Sequence, residues 1–138
     1  MEKAIVIVVD TNILFTFFWK NSFSPELLNK KRIHLIAPEL SFKEIKKHSD
    51  EIIKKAKISK KEYGIIMSDL FLGVLFFPET EYSDHLDKAT KKCPDKDDID
   101  FFALALKYKC PLWSNDQKLK EQDAVEIINT KELIELLD

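Results

Sequence analysis

The stretch Ala4-Ile5-Val6-Ile7-Val8-Val9-Asp10-Thr11-Asn12, "AIVIVVDTN", decides how the rest of the chain is read. An unbroken β-branched run suits a strand buried on both faces, as in the middle of a parallel sheet. That run closes on a carboxylate with two further polar side chains behind it. Asp10 is therefore either a helix N-cap or a chemical group held at a strand end. A second stretch repeats the design. In "PLWSND" the apolar residues Pro111 to Trp113 run out at Ser114-Asn115-Asp116.

Outward from Asp10, Thr11 to Trp19 reads as a helix, with Asp10 or Thr11 near its cap. Ser24-Pro25-Glu26 is a helix start, a cap followed by proline at the first helical position. Ile33 to Ala37 is a second strand closed by Pro38. From Glu39 the period is helical, and Ile45, His48, Ile52 and Ala56 fall on one stripe. Ser59 and Glu62 fit a capping box for a further helix with Ile66, Leu70 and Val74 on its buried face. Leu75 to Phe77 is a third strand, and Ser83 to Lys92 a helix. Asp97 or Asp98 caps a helix carrying Phe101, Phe102, Leu104, Ala105 and Tyr108. "PLWS" is a fourth strand, followed by a short helix after Asp116, a fifth strand over 125–128 and a helix over 131–137. Strands alternating with helices predict a three-layer α/β/α sandwich around a central parallel sheet of about five strands.

At 138 residues the chain is expected to form one domain, residues 1–138, and its 45% hydrophobic content is enough for one core. Only Gly64 and Gly73 are present, so no glycine-rich phosphate loop can be built. Cys93 and Cys110 form no CxxC motif and read as reduced thiols. His34, His48 and His85 lack zinc-ligand spacing, and no serine stands in a GxSxG elbow. Asp10 interrupts the first apolar run before it reaches membrane-spanning length, so no membrane role and a cytoplasmic location are expected. Net charge is −2, without a global basic field, yet lysines crowd residues 43 to 61 and aspartates crowd 95 to 100.

Ligands of such sheets bind beyond the carboxyl ends of the strands, where strand order reverses. Asp10 and Asp116 lie at strand ends, Asp98 at a helix start, and Glu44 on the helix after the second strand. Each alone could be a cap or a solvated acid. Together on one rim they would repel, and a divalent cation would relieve that repulsion. Hard oxygen ligands of this kind suit Mg2+ or Mn2+.

With these residues in place, the sequence resembles the PIN domain family, a compact metal-dependent ribonuclease fold. The resemblance spans nearly the whole chain. It rests on "VVDTN", on "APELSFKEI" supplying Glu44, on "DKDDIDFFALALKYKCPLWSND", and on their order. The family pattern maps onto Asp10, Glu44, Asp98 (followed by Ala103-Leu104-Ala105) and Asp116, with Ser114 in the hydroxyl position. Asp97 and Asp100 are rivals to Asp98, whose offset from Ala103 and Ala105 matches the family spacing; Asp100 is the reserve. Glu39 is the rival to Glu44.

The resemblance implies hydrolysis of an RNA phosphodiester. Asp10, Asp98 and Asp116 would be metal ligands, and Glu44 would orient or deprotonate the attacking water. Asn12, Ser114 and Asp100 would support them by hydrogen bonds. Lys43, Lys46 and Lys47 flank Glu44 and are candidates for RNA phosphate contacts, against the plainer reading of a solvated helix face. Trp19 and Trp113 read as core aromatics. The role is open between the toxin of a toxin–antitoxin pair, bound by an antitoxin, and a housekeeping RNA-processing enzyme. A homodimer is implied by resemblance alone. The competing classes are a noncatalytic RNA-binding or scaffold protein and a phosphotransfer protein with an aspartyl nucleophile at Asp10. The second is disfavoured, because Asn12 stands where a second Asp would be wanted.

Overall fold

The computed structural model describes residues 4–19 and 25–137. Five strands form one sheet: β1 (Ile5–Val9), β2 (Ile33–Pro38), β3 (Val74–Phe77), β4 (Leu112–Trp113) and β5 (Ile127–Ile128). Every pairing is parallel and the order is β3-β2-β1-β4-β5. The run that opened the sequence reading is thus the central strand, and Ile7, Val8 and Val9 are fully buried.

Alternation along the strands sends side chains into two separate cores. On one face Ile7, Val9, Leu35, Ala37, Val74 and Trp113 pack under α1 (Thr11–Thr16), α2 (Pro25–Lys30), α3 (Glu39–Lys47), α4 (Ser49–Ala56), α5 (Lys60–Gly73) and α8 (Thr130–Leu137). On the other, Val8, Ile36, Leu112 and Ile127 pack under α6 (Leu86–Lys92) and α7 (Ile99–Tyr108). This is the expected three-layer sandwich. Among the described residues no helix is long and apolar enough to cross a membrane.

Most expected elements are present with altered ends. Helix α1 stops at Thr16, where an extension to Trp19 was expected. Phe17, Phe18 and Trp19 donate to carbonyls three residues back, which tightens the chain into turns. The continuous stripe from Glu39 breaks at His48, whose backbone leaves helical geometry between α3 and α4. Ile45 and Ile52 keep their buried positions across that break. The capping box opens α5 as expected, with Ser59 Oγ accepting from Glu62 N and Glu62 Oε1 from Ser59 N, both at 3.0 Å. Val74, expected on that helix, begins β3.

The fifth strand is shorter than the expected 125–128. Gln122 Oε1 takes the backbone N–H groups of Ala124 and Val125, holding them in a turn before the sheet. Ser24, the expected cap of α2, lies outside the described residues.

The chain adds β2 and β3 on one side of β1, then crosses to the opposite face and adds β4 and β5 on the other side. Strand order therefore reverses at the boundary between β1 and β4. The crevice at their carboxyl ends is where an open α/β sheet binds its ligands.

Candidate metal centre at the strand reversal

Asp10 closes β1 at this crevice and is 4% exposed. Its Oδ1 accepts from Ile13 N at 2.8 Å, so it does cap α1. It also accepts from the Ser114 hydroxyl. Burial raises its pKa above the ordinary aspartate value, the Ser114 and Ile13 hydrogen bonds oppose that, and the Asp116 charge adds to it. The cap and the chemical reading are therefore not alternatives: one residue makes the helix start and stands beside other acids.

Ser114, fully buried after β4, works in both directions. Its Oγ accepts from Asp116 N at 3.1 Å while its hydroxyl reaches Asp10. It ties the ends of the two central strands together. Asp116 follows, with Oδ1 accepting from Lys118 N at 3.1 Å and starting a short 3-10 turn over Gln117–Glu121.

The third acid arrives from the opposite face of the sheet. Asp98 stands at the first turn of α7, but its side chain makes no capping bond. Asp95 instead accepts from Asp97 N at 3.0 Å and nucleates a 3-10 turn over Lys96–Asp98. The turn folds Asp95 back beside Asp98. As a result one carboxylate oxygen each of Asp95, Asp98 and Asp116 lies within 4.8 Å of the other two.

Asp98 pays for this crowding in its proton affinity. Burial pushes its pKa up to about 7, and the charges of Asp10, Asp95, Asp116 and Asp97 push the same way. Asp95 is held below the ordinary value by the Asp97 N–H, then by a hydrogen bond with Asp116. Two carboxylates can make such a contact only by sharing a proton or a cation. The donor set is hard, anionic and oxygen-only, and it suits Mg2+ or Mn2+.

A cleft of about 350 Å3 opens beside Asp98, lined by Thr11, Asn12, Glu44, Asp97, Asp98 and, on its apolar side, Phe15 and Phe101. Glu44, exposed on α3, therefore faces the same space as Asp98 across the crevice. Thr11 Oγ1 is buried at this edge without a hydrogen-bond partner among the described residues.

Several sequence expectations change here. Of Asp98 and Asp100, it is Asp98 that stands in the acidic trio. Asp100 Oδ2 accepts from the Tyr82 hydroxyl at 2.6 Å, tying α7 to the 3-10 turns before α6, so it does not support the acidic trio. Asp10 lies outside the 4.8 Å group, and Asp95 takes the place expected of it. Asp95 was indistinguishable from its acidic neighbours in "DKDDID"; the signal was its two-residue offset from Asp97, which suits a side-chain turn. Lys43, Lys46 and Lys47 are exposed, line no part of the cleft, and Lys46 Nζ sits 5.9 Å from the Phe42 ring centroid. Trp113 is in the core at 1% exposure, whereas Trp19 is 37% exposed.

Comparison with known proteins agrees with this fold. The family profile described as "PIN domain" matches residues 8–135, nearly the whole chain. The chain belongs to the PIN domain family. Among solved structures, this PIN domain is similar to a chain in the crystal structure of VapBC2 from Rickettsia felis bound to a DNA fragment from their promoter. The TM-score is 0.62 at 15% identity, covering 91% of this chain and 98% of that one, a likeness of fold. No curated protein sequence matches. PIN domains are typically nucleases that use divalent metal ions.

Proposed function

We propose that this PIN domain is a Mg2+- or Mn2+-dependent endoribonuclease, acting as the toxin of a toxin–antitoxin pair. The observation that carries the reading is the Asp95–Asp98–Asp116 trio at the strand reversal, whose Asp98 lines an open cleft that Glu44 also lines.

Asp95, Asp98 and Asp116 would hold the ion, with Asp10 behind them. A divalent ion bound there supplies positive charge for a phosphodiester and makes a nearby water more acidic. Glu44, on the far wall and in contact with solvent, is the group free to orient that water or accept its proton. Ser114 fixes the positions of Asp10 and Asp116 through its two hydrogen bonds. Thr11 and Asn12 offer hydroxyl and amide groups to the same space.

The likeness to a chain of a VapBC complex supports a protein antitoxin as partner. A second copy is the other partner we propose. The apolar side chains of Phe71, Leu72 and Leu75, 60% exposed or more beside the edge strand β3, support it.

Purified protein is expected to cleave single-stranded RNA with Mg2+ or Mn2+ and to stop in EDTA. Asp98→Asn and Asp116→Asn keep the shape and remove a charge, and each should lower the rate at least about 100-fold, as expected for loss of charge stabilisation. Undiminished cleavage by both variants would assign the activity to another protein. Ion-dependent RNA binding without cleavage would leave the scaffold reading in its place.

A further inference from the structure

A second cleft, of about 230 Å3, adjoins the acidic one. Phe15, Trp19 and Ile52 wall it, and His48, Glu51 and Lys55 stand at its edge. Phe15 and Glu44 line both clefts, so the two are neighbours. The break between α3 and α4 at His48 puts the imidazole there, with Nδ1 3.6 Å from Glu51 Oε1.

Trp19 is the unusual member. Trp113 fills the core, yet Trp19 keeps 37% of its surface in solvent at the end of α1's tightened turns. An indole left partly wet beside an acidic cleft offers a flat apolar face. The volume lies below the ~300 Å3 at which pockets accept drug-sized ligands. It suits a single planar ring system. Two carboxylates, Glu44 and Glu51, disfavour a phosphate in this space, while the imidazole and ammonium supply donors to the carboxylates' acceptors. A flat face with donors and acceptors around it matches an unpaired nucleobase, which stacks on aromatic side chains and bonds through its edges.

We propose that this cleft receives one unpaired RNA base, flanking the phosphate at the acidic trio and stacked against Trp19. The inference rests on the nuclease reading. It makes the substrate class RNA whose cleaved bond lies in a single strand or loop, since a base held in a duplex cannot enter.

The test uses one RNA oligonucleotide that is cleaved, and versions carrying an abasic ribose at each position near the cleaved bond. Wild type, Trp19→Phe and Trp19→Ala are compared, with melting temperatures to establish that all three are folded. One abasic position next to the cleaved bond should raise KM by about 5- to 100-fold on the wild type, the range of a lost stacking contact. The kcat should change far less. Trp19→Ala should raise KM similarly on intact RNA and respond no further to that abasic position, while Trp19→Phe keeps most of the binding. An unchanged KM for Trp19→Ala, or an undiminished abasic effect in it, would overturn the subsite.

A second readout separates the subsite from catalysis. Unlabelled RNA hexamers should quench the tryptophan fluorescence of the wild type, and the quenching should vanish in Trp19→Phe. Quenching without any cleavage would retain the subsite and remove the nuclease reading. Cleavage without quenching would do the opposite. Quenching by a basic peptide and not by RNA would reassign the cleft to a protein side chain and overturn the proposal.

Discussion

Asp98 joins electrostatics to stability in a way that can be measured on one side chain. Its pKa rises from an ordinary 3.8 to about 7 on folding, through burial and four neighbouring carboxylates. The native state then holds a proton that the unfolded chain releases, so this residue's contribution to stability falls as pH rises from about 4 to 7. Asp98→Asn removes the titration. In EDTA, the melting temperature of the variant relative to wild type should increase between pH 5 and pH 8. A bound ion competes with the proton and wants the carboxylate bare. Mg2+ should therefore stabilise the wild type more at pH 8 than at pH 5.5, and the variant less at both. Parallel curves for the two proteins would mean that Asp98 is not crowded as described. Asp10 and Asp116 were legible in the sequence because each ends an apolar run. Asp95 was not, because its place depends on a side-chain turn within a run of similar acids. The exposure of Trp19 was hidden too. Its spacing matched a continuing helix, whereas the chain tightens into turns after Thr16.

Elements are held by local chemistry that the sequence states directly at some ends and not at others. The Ser59–Glu62 box was visible, since both partners stand at fixed spacing. The break at His48 was not, since the apolar stripe runs through it unbroken. The ends of α4 and α7 follow another rule. Lys57 (φ 56°) and Lys109 (φ 52°) take the left-handed conformation that glycine usually supplies after a helix. In both, the next residue's N–H reaches a carbonyl five residues back, Ile58 to Ile53 and Cys110 to Ala105, each at 3.2 Å. With only two glycines in the chain, lysine bears the Cβ crowding at these positions. Lys109 is exposed, at the opposite end of α7 from Asp98. Lys109→Gly is expected to stabilise the protein by up to about 1 kcal/mol, the cost of a non-glycine residue in that region less the entropy glycine loses on folding. Urea unfolding measures it. A loss of stability would show that the lysine's contacts outweigh the strain.

For the whole molecule, fold class was legible because the strands alternate with helices and the first is apolar throughout. Strand order was not, since no local pattern says on which side of β1 the fourth strand will lie. The order leaves β3 as an edge, beside Leu72 at 83% exposure, Phe71 at 63% and Leu75 at 60%. Exposed apolar side chains gathered in this way mark association surfaces. Sedimentation velocity over a range of concentrations should show the protein shifting from one copy to two. Leu72→Lys with Leu75→Lys should hold it at one copy while leaving the Mg2+ shift in melting temperature intact. A wild type that stays single at every concentration would remove the second copy from the proposed partners.

The central position of β1 also governs timing during synthesis. The first 77 residues carry Asp10, Glu44 and the first three strands, which are hydrogen-bonded to one another in the order β3-β2-β1. Asp95, Asp98 and Asp116 are translated afterwards, and Asp116 takes its place only once β4 has docked against β1. A ribosome making this chain therefore carries three of the five strands and an incomplete set of acids until Asp116 has been added. On the nuclease reading, the nascent chain cannot cut the message being translated until the fourth strand has emerged and docked, so the topology itself delays the onset of activity.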